Sequence, residues 1–160
     1  MDRLNVYREL ALELSGLLTD DWLSNLANFS AAVYHGLPDL NWCGFYLIRE
    51  AYGPAHLKLG PFVGRPACLD IPFERGVCGK AARTRQTVLV EDVHQFAGHI
   101  ACDARSRSEL VVPLITKSDR LIGVLDLDSP SLGRFDQIDV EEVGKLVAQL
   151  VEKTKWPLSI

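Results

Sequence analysis

Cys102 lies in a short loop whose composition favours a reactive thiol. The loop reads GHIACD over residues 98–103, and Arg105 and Arg107 follow closely, with His94 and His99 upstream. A cysteine reacts as its thiolate, which solvent exposure and nearby cations favour. Two alternatives stay open: a small buried side chain that only fills space, and acyl transfer with a histidine. We interpret Cys102 as the reacting atom of the protein.

Three carboxylates are predicted to converge beside this loop. Asp126 and Asp128 are two residues apart on one predicted strand, so both point to the same face of the sheet. Glu109 begins the predicted partner strand and is expected to lie near them. Carboxylates that share a site repel one another and raise at least one pKa, which allows that group to hold and deliver a proton. The alternative is a solvated strand end, and we favour the functional interpretation.

The same acids predict a pocket for a free amino acid. They would bind a ligand ammonium group, while the backbone amides of a short helix beginning at residues 76–79 would bind a carboxylate. Trp42 and Tyr46 are four residues apart on one face of their strand and would form an apolar wall. Both could equally be core aromatics.

A metal site is not predicted. The candidate ligands would be Cys68, Cys78, Cys102, His94 and His99. The full pattern of a structural zinc site is missing, because the sequence has no CxxC and no HxxxH.

Composition narrows the class of protein. The 160 residues are 48% hydrophobic and 24% charged, with a formal net charge of −4, which fits one globular domain over residues 1–160. The scattered basic residues argue against nucleic acid as a partner, and no apolar run is long enough for a membrane span or a signal peptide. We expect a cytoplasmic protein. A disulfide in that compartment would be transient and catalytic rather than structural.

The predicted elements give an α+β domain. Amphipathic helices are expected at 4–17, from a cap at 19–21 to residue 37, and after a cap at 133–136, with a short helix at 76–82. Predicted strands cover 42–48, 56–59, 68–72, 87–90, 110–117 and 121–128. The expected fold is a mostly antiparallel sheet of about six strands, with the N- and C-terminal helices on one face. Loops 60–80 and 91–109 would form a pocket on the other.

Several sequence blocks, in order, resemble those of free methionine-(R)-sulfoxide reductases, which are built on a GAF domain. They are NWCGFY at 41–46, LGPF at 59–62, GVCG at 76–79, EDVH at 91–94, GHIACD at 98–103, SE at 108–109 and GVLDLDS at 123–129. The resemblance extends from residue 5 to about residue 152.

The resemblance implies a mechanism without a bound cofactor. The cysteine matching Cys102 attacks the sulfoxide sulfur, methionine leaves, and a sulfenic acid remains. The cysteine matching Cys68 then forms a disulfide, which thioredoxin reduces with electrons from NADPH through thioredoxin reductase. Cys78 matches a third family cysteine and is either a second resolving thiol or a bystander.

The resemblance also assigns the binding residues. Acids matching Glu109, Asp126 and Asp128 bind the substrate and polarise or protonate its oxygen, and Trp42 and Tyr46 match positions that line the pocket. Cys43 departs from the family's usual small residue, and strand alternation directs it to the opposite face as core filler.

A second class of function stays open. A non-catalytic GAF sensor that binds a small ligand has the same fold. The three cysteines at family positions favour the enzyme. The oligomeric state is also open, with a homodimer as one possibility.

Overall fold

The computed structural model describes residues 2–160 and contains the predicted helices and strands. The helices are α1 Arg3–Leu17, α2 Trp22–Gly36, α3 Gly76–Thr84 and α4 Gln137–Lys153. The strands are β1 Trp42–Leu47, β2 His56–Gly64, β3 Asp70–Pro72, β4 Val88–Val90, β5 Ser108–Ile115 and β6 Leu121–Ser129. Two short 3₁₀ turns, Glu50–Tyr52 and Val93–Gln95, were not predicted. No helix within residues 2–160 has both the length and the apolarity needed to cross a membrane.

The long helices begin at the capping residues that the sequence indicates. The Asp21 carboxylate accepts a hydrogen bond of 2.9 Å from the backbone N–H of Ser24 at the start of α2. Asp136 and Asp139 form a reciprocal capping box at the start of α4. Each cap satisfies backbone donors that the first helical turn leaves unpaired, which fixes where the helix starts.

The six strands form one sheet in the order β3-β2-β1-β6-β5-β4, and all neighbouring strands are antiparallel. Helices α1, α2 and α4 cover one face, where Phe45, Leu125 and Leu127 are completely buried. Helix α3 and the connecting loops cover the other face, around Tyr46, Val111 and Val124. The predicted α+β fold, with long helices on one face only, is confirmed.

The prediction for β2 was too short. The strand was expected to end at Leu59, but it continues to Gly64 and pairs with β1 throughout. Phe45 of β1 stands opposite both Gly60 and Pro61, because Gly44 pairs with Phe62 and Tyr46 pairs with Leu59. This bulge accommodates a proline, which cannot donate to the ladder. Gly60 and Pro61 therefore mark an irregularity within a strand.

Two further boundaries differ from prediction. Cys68 was expected in a strand, but β3 begins at Asp70, and Cys68 lies in the preceding loop. Its carbonyl accepts a hydrogen bond from the Tyr46 hydroxyl. The turn between β5 and β6 was expected at residues 118–120. It spans residues 116–120, because β5 ends at Ile115, and Asp119 in this turn has a φ of 63°.

Candidate active site

The predicted site residues meet in one pocket on the α3 face of the sheet. The space, including its open mouth, is about 510 Å³. Seven of the eight predicted residues line it, from the sheet, from α3 and from the cysteine loop: Trp42, Tyr46, Cys78, Cys102, Glu109, Asp126 and Asp128. Cys68 is held at the edge of this pocket by its bond to Cys102.

The three acids come together because of strand register. Glu109 of β5 is the direct partner of Asp128 on β6, and Asp126 is two residues further along β6 on the same face. Glu109 and Asp126 are only 5% and 6% exposed, whereas Asp128 is partly buried. The predicted convergence of these side chains on one face agrees with the register.

Burial makes these carboxyl groups weak acids. The pKa values of Glu109, Asp126 and Asp128 all lie well above the usual range, primarily because burial penalises the charged form. Mutual repulsion adds to this: Asp128 raises the pKa of Glu109, and Glu109 raises the pKa of Asp126. The cluster therefore retains protons at pH values where an exposed carboxyl would be ionised.

Asp126 has a buried atom available for a ligand. Among the described residues, none forms a hydrogen bond with its Oδ1. A buried polar atom without a partner costs free energy, so a ligand donor or acceptor at this position would recover that cost.

The cysteines differ in chemical state. Cys68 and Cys102 form a disulfide, with their Cα atoms 5.4 Å apart. Cys78 is a buried free thiol whose Sγ lies 3.9 Å from Glu109 Oε1, and burial raises its pKa. Cys43 is buried in the core on the helix-covered face, as predicted. The disulfide joins the two cysteines that the family resemblance pairs.

Trp42 and Tyr46 form a stacked aromatic wall. Their ring centroids are 5.8 Å apart, and Phe62 of β2 stacks on the other side of Trp42 at 5.3 Å. The Trp42 indole N–H donates to the Arg65 carbonyl at 3.1 Å, so this wall is fixed by hydrogen bonds as well as packing. Both residues line the pocket and also belong to its apolar core, so the two alternatives raised by the sequence coexist.

Gly44 makes this wall possible. A Cβ at residue 44 would lie 2.7 Å from Trp42 Cη2 and would also collide with Phe62. Because glycine has no side chain, the two rings can lie across the strand.

Two pocket residues were missed as site residues. His99 Nε2 lies 3.5 Å from Glu109 Oε2, and burial lowers the pKa of this imidazole. Asp103 also lines the pocket, and its pKa is lowered chiefly by the Arg105 guanidinium, which lies 2.8 Å away. The sequence placed His99 near Cys102 in the chain, but residue spacing gives no direction for a loop side chain.

The start of α3 borders the same pocket. Gly76 has a φ of 71°, and its N–H donates to the Gly98 carbonyl at 3.0 Å. The N-cap residue Arg75 forms no side-chain capping bond, and Gly76, Val77 and Cys78 line the pocket. Binding of a ligand carboxylate by the first-turn amides stays a prediction.

The same cluster contains potential ligand atoms for a small cation. Cys78, Glu109 and Asp126 each offer one atom within 4.8 Å of the others. The zinc ligand set considered from the sequence is not available in this state, because Cys68 and Cys102 are bonded to each other. The prediction that the protein uses no metal is untested.

Comparisons with known proteins place this chain in a family. A family model described as GAF domain matches residues 29–152. The free methionine-R-sulfoxide reductase of Escherichia coli is 47% identical over 94% of this chain and 89% of its own length. The protein of the same description from Saccharomyces cerevisiae is 39% identical over 96% of this chain and 88% of its own length.

Solved structures agree with this match. The X-ray structure of free methionine-R-sulfoxide reductase from Neisseria meningitidis in complex with its substrate has a TM-score of 0.89 and 41% identity, and the match covers 96% of this chain and 90% of that one. The reduced form from Staphylococcus aureus has a TM-score of 0.85 and 44% identity, over 92% and 94% of the two chains. With this fold and these relatives, the chain belongs to the free methionine-(R)-sulfoxide reductase family, which is built on a GAF domain.

Proposed function

We propose that this protein reduces free L-methionine (R)-sulfoxide to L-methionine. The observation that carries the proposal is the Cys68–Cys102 disulfide at the edge of a pocket lined by three carboxyl groups with raised pKa values. Reduction of a sulfoxide requires a two-electron thiol donor and a proton source, and this site contains both.

The first step is attack by the Cys102 thiolate on the sulfoxide sulfur. The sulfoxide oxygen is transferred to the cysteine as a sulfenic acid, and the substrate leaves as the thioether methionine. A carboxyl group of the Glu109, Asp126 and Asp128 cluster protonates the oxygen, because burial keeps the cluster protonated.

Cys68 performs the second step. Its thiolate attacks the sulfenic sulfur of Cys102, a disulfide forms, and the sulfenic oxygen takes up a proton and leaves as water. The observed Cys68–Cys102 pairing supports Cys68 as the main resolving residue. Cys78 is less suited to this role, since burial raises the pKa of its thiol.

The pocket is matched to a free amino acid. An ionised member of the acid cluster would bind the ammonium group while another member keeps the proton, and the unpaired Asp126 Oδ1 offers an acceptor. Amides of the first turn of α3 would bind the carboxylate, and the Trp42 face would pack against the S-methyl group. A residue within a peptide lacks both charged groups and would be excluded.

Regeneration requires an external dithiol. We assign this role to thioredoxin, which would take electrons from NADPH through thioredoxin reductase, and no bound cofactor enters the cycle. This assignment implies action in a compartment where thioredoxin is kept reduced, for which we propose the cytoplasm.

The decisive assay measures methionine release from separated free L-methionine (R)- and (S)-sulfoxides, with peptide-bound sulfoxide as a control. Thioredoxin, its reductase and NADPH supply electrons, and a parallel reaction contains dithiothreitol. We expect release from the free R form alone. Absence of release from every substrate, with free thiols verified by titration, would overturn the proposal and favour a ligand-sensing role.

A further inference from the structure

We propose that the exposed side chain of Leu69, directly beside Cys68, is the docking point for the dithiol protein that reduces this chain. The proposal rests on the redox function above and extends it by naming the contact surface and the sulfur that is attacked. The partner is a thioredoxin-type protein that presents a reactive thiol within an apolar surface.

Leu69 differs from the other exposed apolar residues in its position. Its side chain is 74% exposed, and among the large exposed apolar residues in 2–160 it is the one adjacent to a disulfide cysteine. A single exposed leucine is unremarkable by itself. Its position beside a bond that must be reduced by another molecule gives the exposure a specific use.

The backbone fixes Leu69 in this outward position. The Tyr46 hydroxyl donates to the Cys68 carbonyl at 3.0 Å, and the Leu59 N–H donates to the Leu69 carbonyl at 3.1 Å. The next residue, Asp70, forms an ion pair with Lys58 at 3.1 Å. The side chain is therefore presented by an anchored segment, so a partner would lose little free energy in ordering it.

The acids nearest to the disulfide in the chain are already ion-paired. The carboxylate of Asp70 is paired with Lys58, and that of Asp103 is paired with Arg105 at 2.8 Å. Both acids near the disulfide are thus neutralised by neighbours. Pro66 and Ala101 are also exposed on the two loops that the disulfide joins.

The geometry assigns the attack to Cys68. Cys102 lines the substrate pocket, whereas Cys68 is not among its lining residues and is followed directly by the exposed Leu69. The partner thiolate bonds to Cys68 Sγ, the Cys68–Cys102 bond breaks, and Cys102 leaves as a thiolate. The second partner thiol then attacks the partner's own bonded sulfur and releases Cys68. Two electrons pass to this chain, and the partner becomes the disulfide.

The test compares Leu69→Ser with Leu12→Ser. Leu12 is a matched control, because it is also 74% exposed but lies on α1, on the helix-covered face. Pre-oxidised proteins are mixed with NADPH, thioredoxin reductase and catalytic amounts of thioredoxin. The rate of NADPH consumption then measures the thioredoxin-dependent reduction of the disulfide. This assay contains no sulfoxide, so its result does not depend on the substrate. Dithiothreitol reduction of each variant measures the disulfide's own reactivity.

We expect Leu69→Ser to lower the second-order rate constant for reduction by thioredoxin about tenfold, from the loss of one apolar contact. The dithiothreitol rate should be unchanged, and Leu12→Ser should match the wild type in both assays. Equal thioredoxin rates for all three proteins would overturn the docking proposal, whereas the methionine-release assay separately decides the enzymatic one.

A trapping experiment tests the attacked sulfur. Thioredoxin whose second active-site cysteine is replaced by serine should accumulate as a mixed disulfide with this chain. Peptide mass mapping should locate that bond at Cys68. A bond at Cys102 would show that the partner enters from the pocket side and would overturn the assignment.

Discussion

Glu109 of β5 and Asp128 of β6 are direct partners across the antiparallel ladder, so two carboxyl groups occupy one pair position of the sheet. Like charges at such a position are unfavourable, because the Cβ atoms of paired residues lie about 5 Å apart. The pair is therefore stabilised when at least one member is protonated, and this links sheet register to proton supply.

Replacing either member with its amide should remove that proton supply. We expect Glu109→Gln and Asp128→Asn to lower methionine release, with a loss in kcat of about 100-fold or more for the residue that donates the proton. A residue that mainly binds substrate should instead raise KM. Glu141→Gln on the exposed surface of α4 is the control. Wild-type kinetics in both site variants would contradict the role of the pair.

Asp126 should make stability depend on pH. Its folded-state pKa is raised, mainly by burial, so the folded chain holds a proton that the unfolded chain has lost once pH exceeds about 4. Stability should therefore fall as pH rises from that value towards the folded-state pKa, and then level off. Urea midpoints measured against pH should show a shallower fall for Asp126→Asn than for the wild type. Parallel curves would show that Asp126 ionises normally.

The cysteines should separate into nucleophile and resolver. We expect Cys102→Ser to abolish methionine release while retaining the far-ultraviolet circular dichroism spectrum, because the change is nearly isosteric. Cys68→Ser should release about one methionine per chain and then slow sharply with thioredoxin, since the sulfenic acid has lost its partner. Cys43→Ser is not a suitable control because Cys43 is fully buried in the core. Sustained turnover by Cys68→Ser would reassign the resolving role to Cys78.

Gly44→Ala should disturb the aromatic wall. The added Cβ would overlap Trp42 and Phe62, so we expect a loss of about 1–3 kcal/mol in the free energy of unfolding and a raised KM. Gly16→Ala is the control, because nothing lies within 4 Å of a Cβ at this helical position, and it should stabilise by about 0.5–1 kcal/mol. Denaturant unfolding and methionine release measure the two effects. An unchanged KM would show that the aromatic wall does not contribute to substrate binding.

Strand periodicity predicted the parts of the site that lie on strands. Alternation placed Asp126 and Asp128 on one face and Cys43 on the other, and the register of β5 and β6 brings Glu109 to the same position. These predictions depend only on the period of a strand, which local sequence determines.

The loop contributions could not be predicted in the same way. His99 contacts Glu109 through a turn whose direction depends on the whole fold, and the bulge at Gly60 and Pro61 is imposed by pairing with β1. The pairing of Cys68 with Cys102 was implied by the family resemblance alone, because the 33 residues between them carry no local signal of their proximity.

The disulfide also determines which form of the protein persists when reductant is scarce. It closes a 34-residue loop that contains β3, α3 and β4. In the chain-entropy model, such a cross-link lowers the conformational entropy of the unfolded chain and so raises the free energy of unfolding by about 4 kcal/mol. In the proposed cycle, oxidant therefore converts the protein into its more unfolding-resistant form. Oxidised molecules would then survive proteolysis longer than reduced ones, so activity would be restored by reduction rather than by new synthesis.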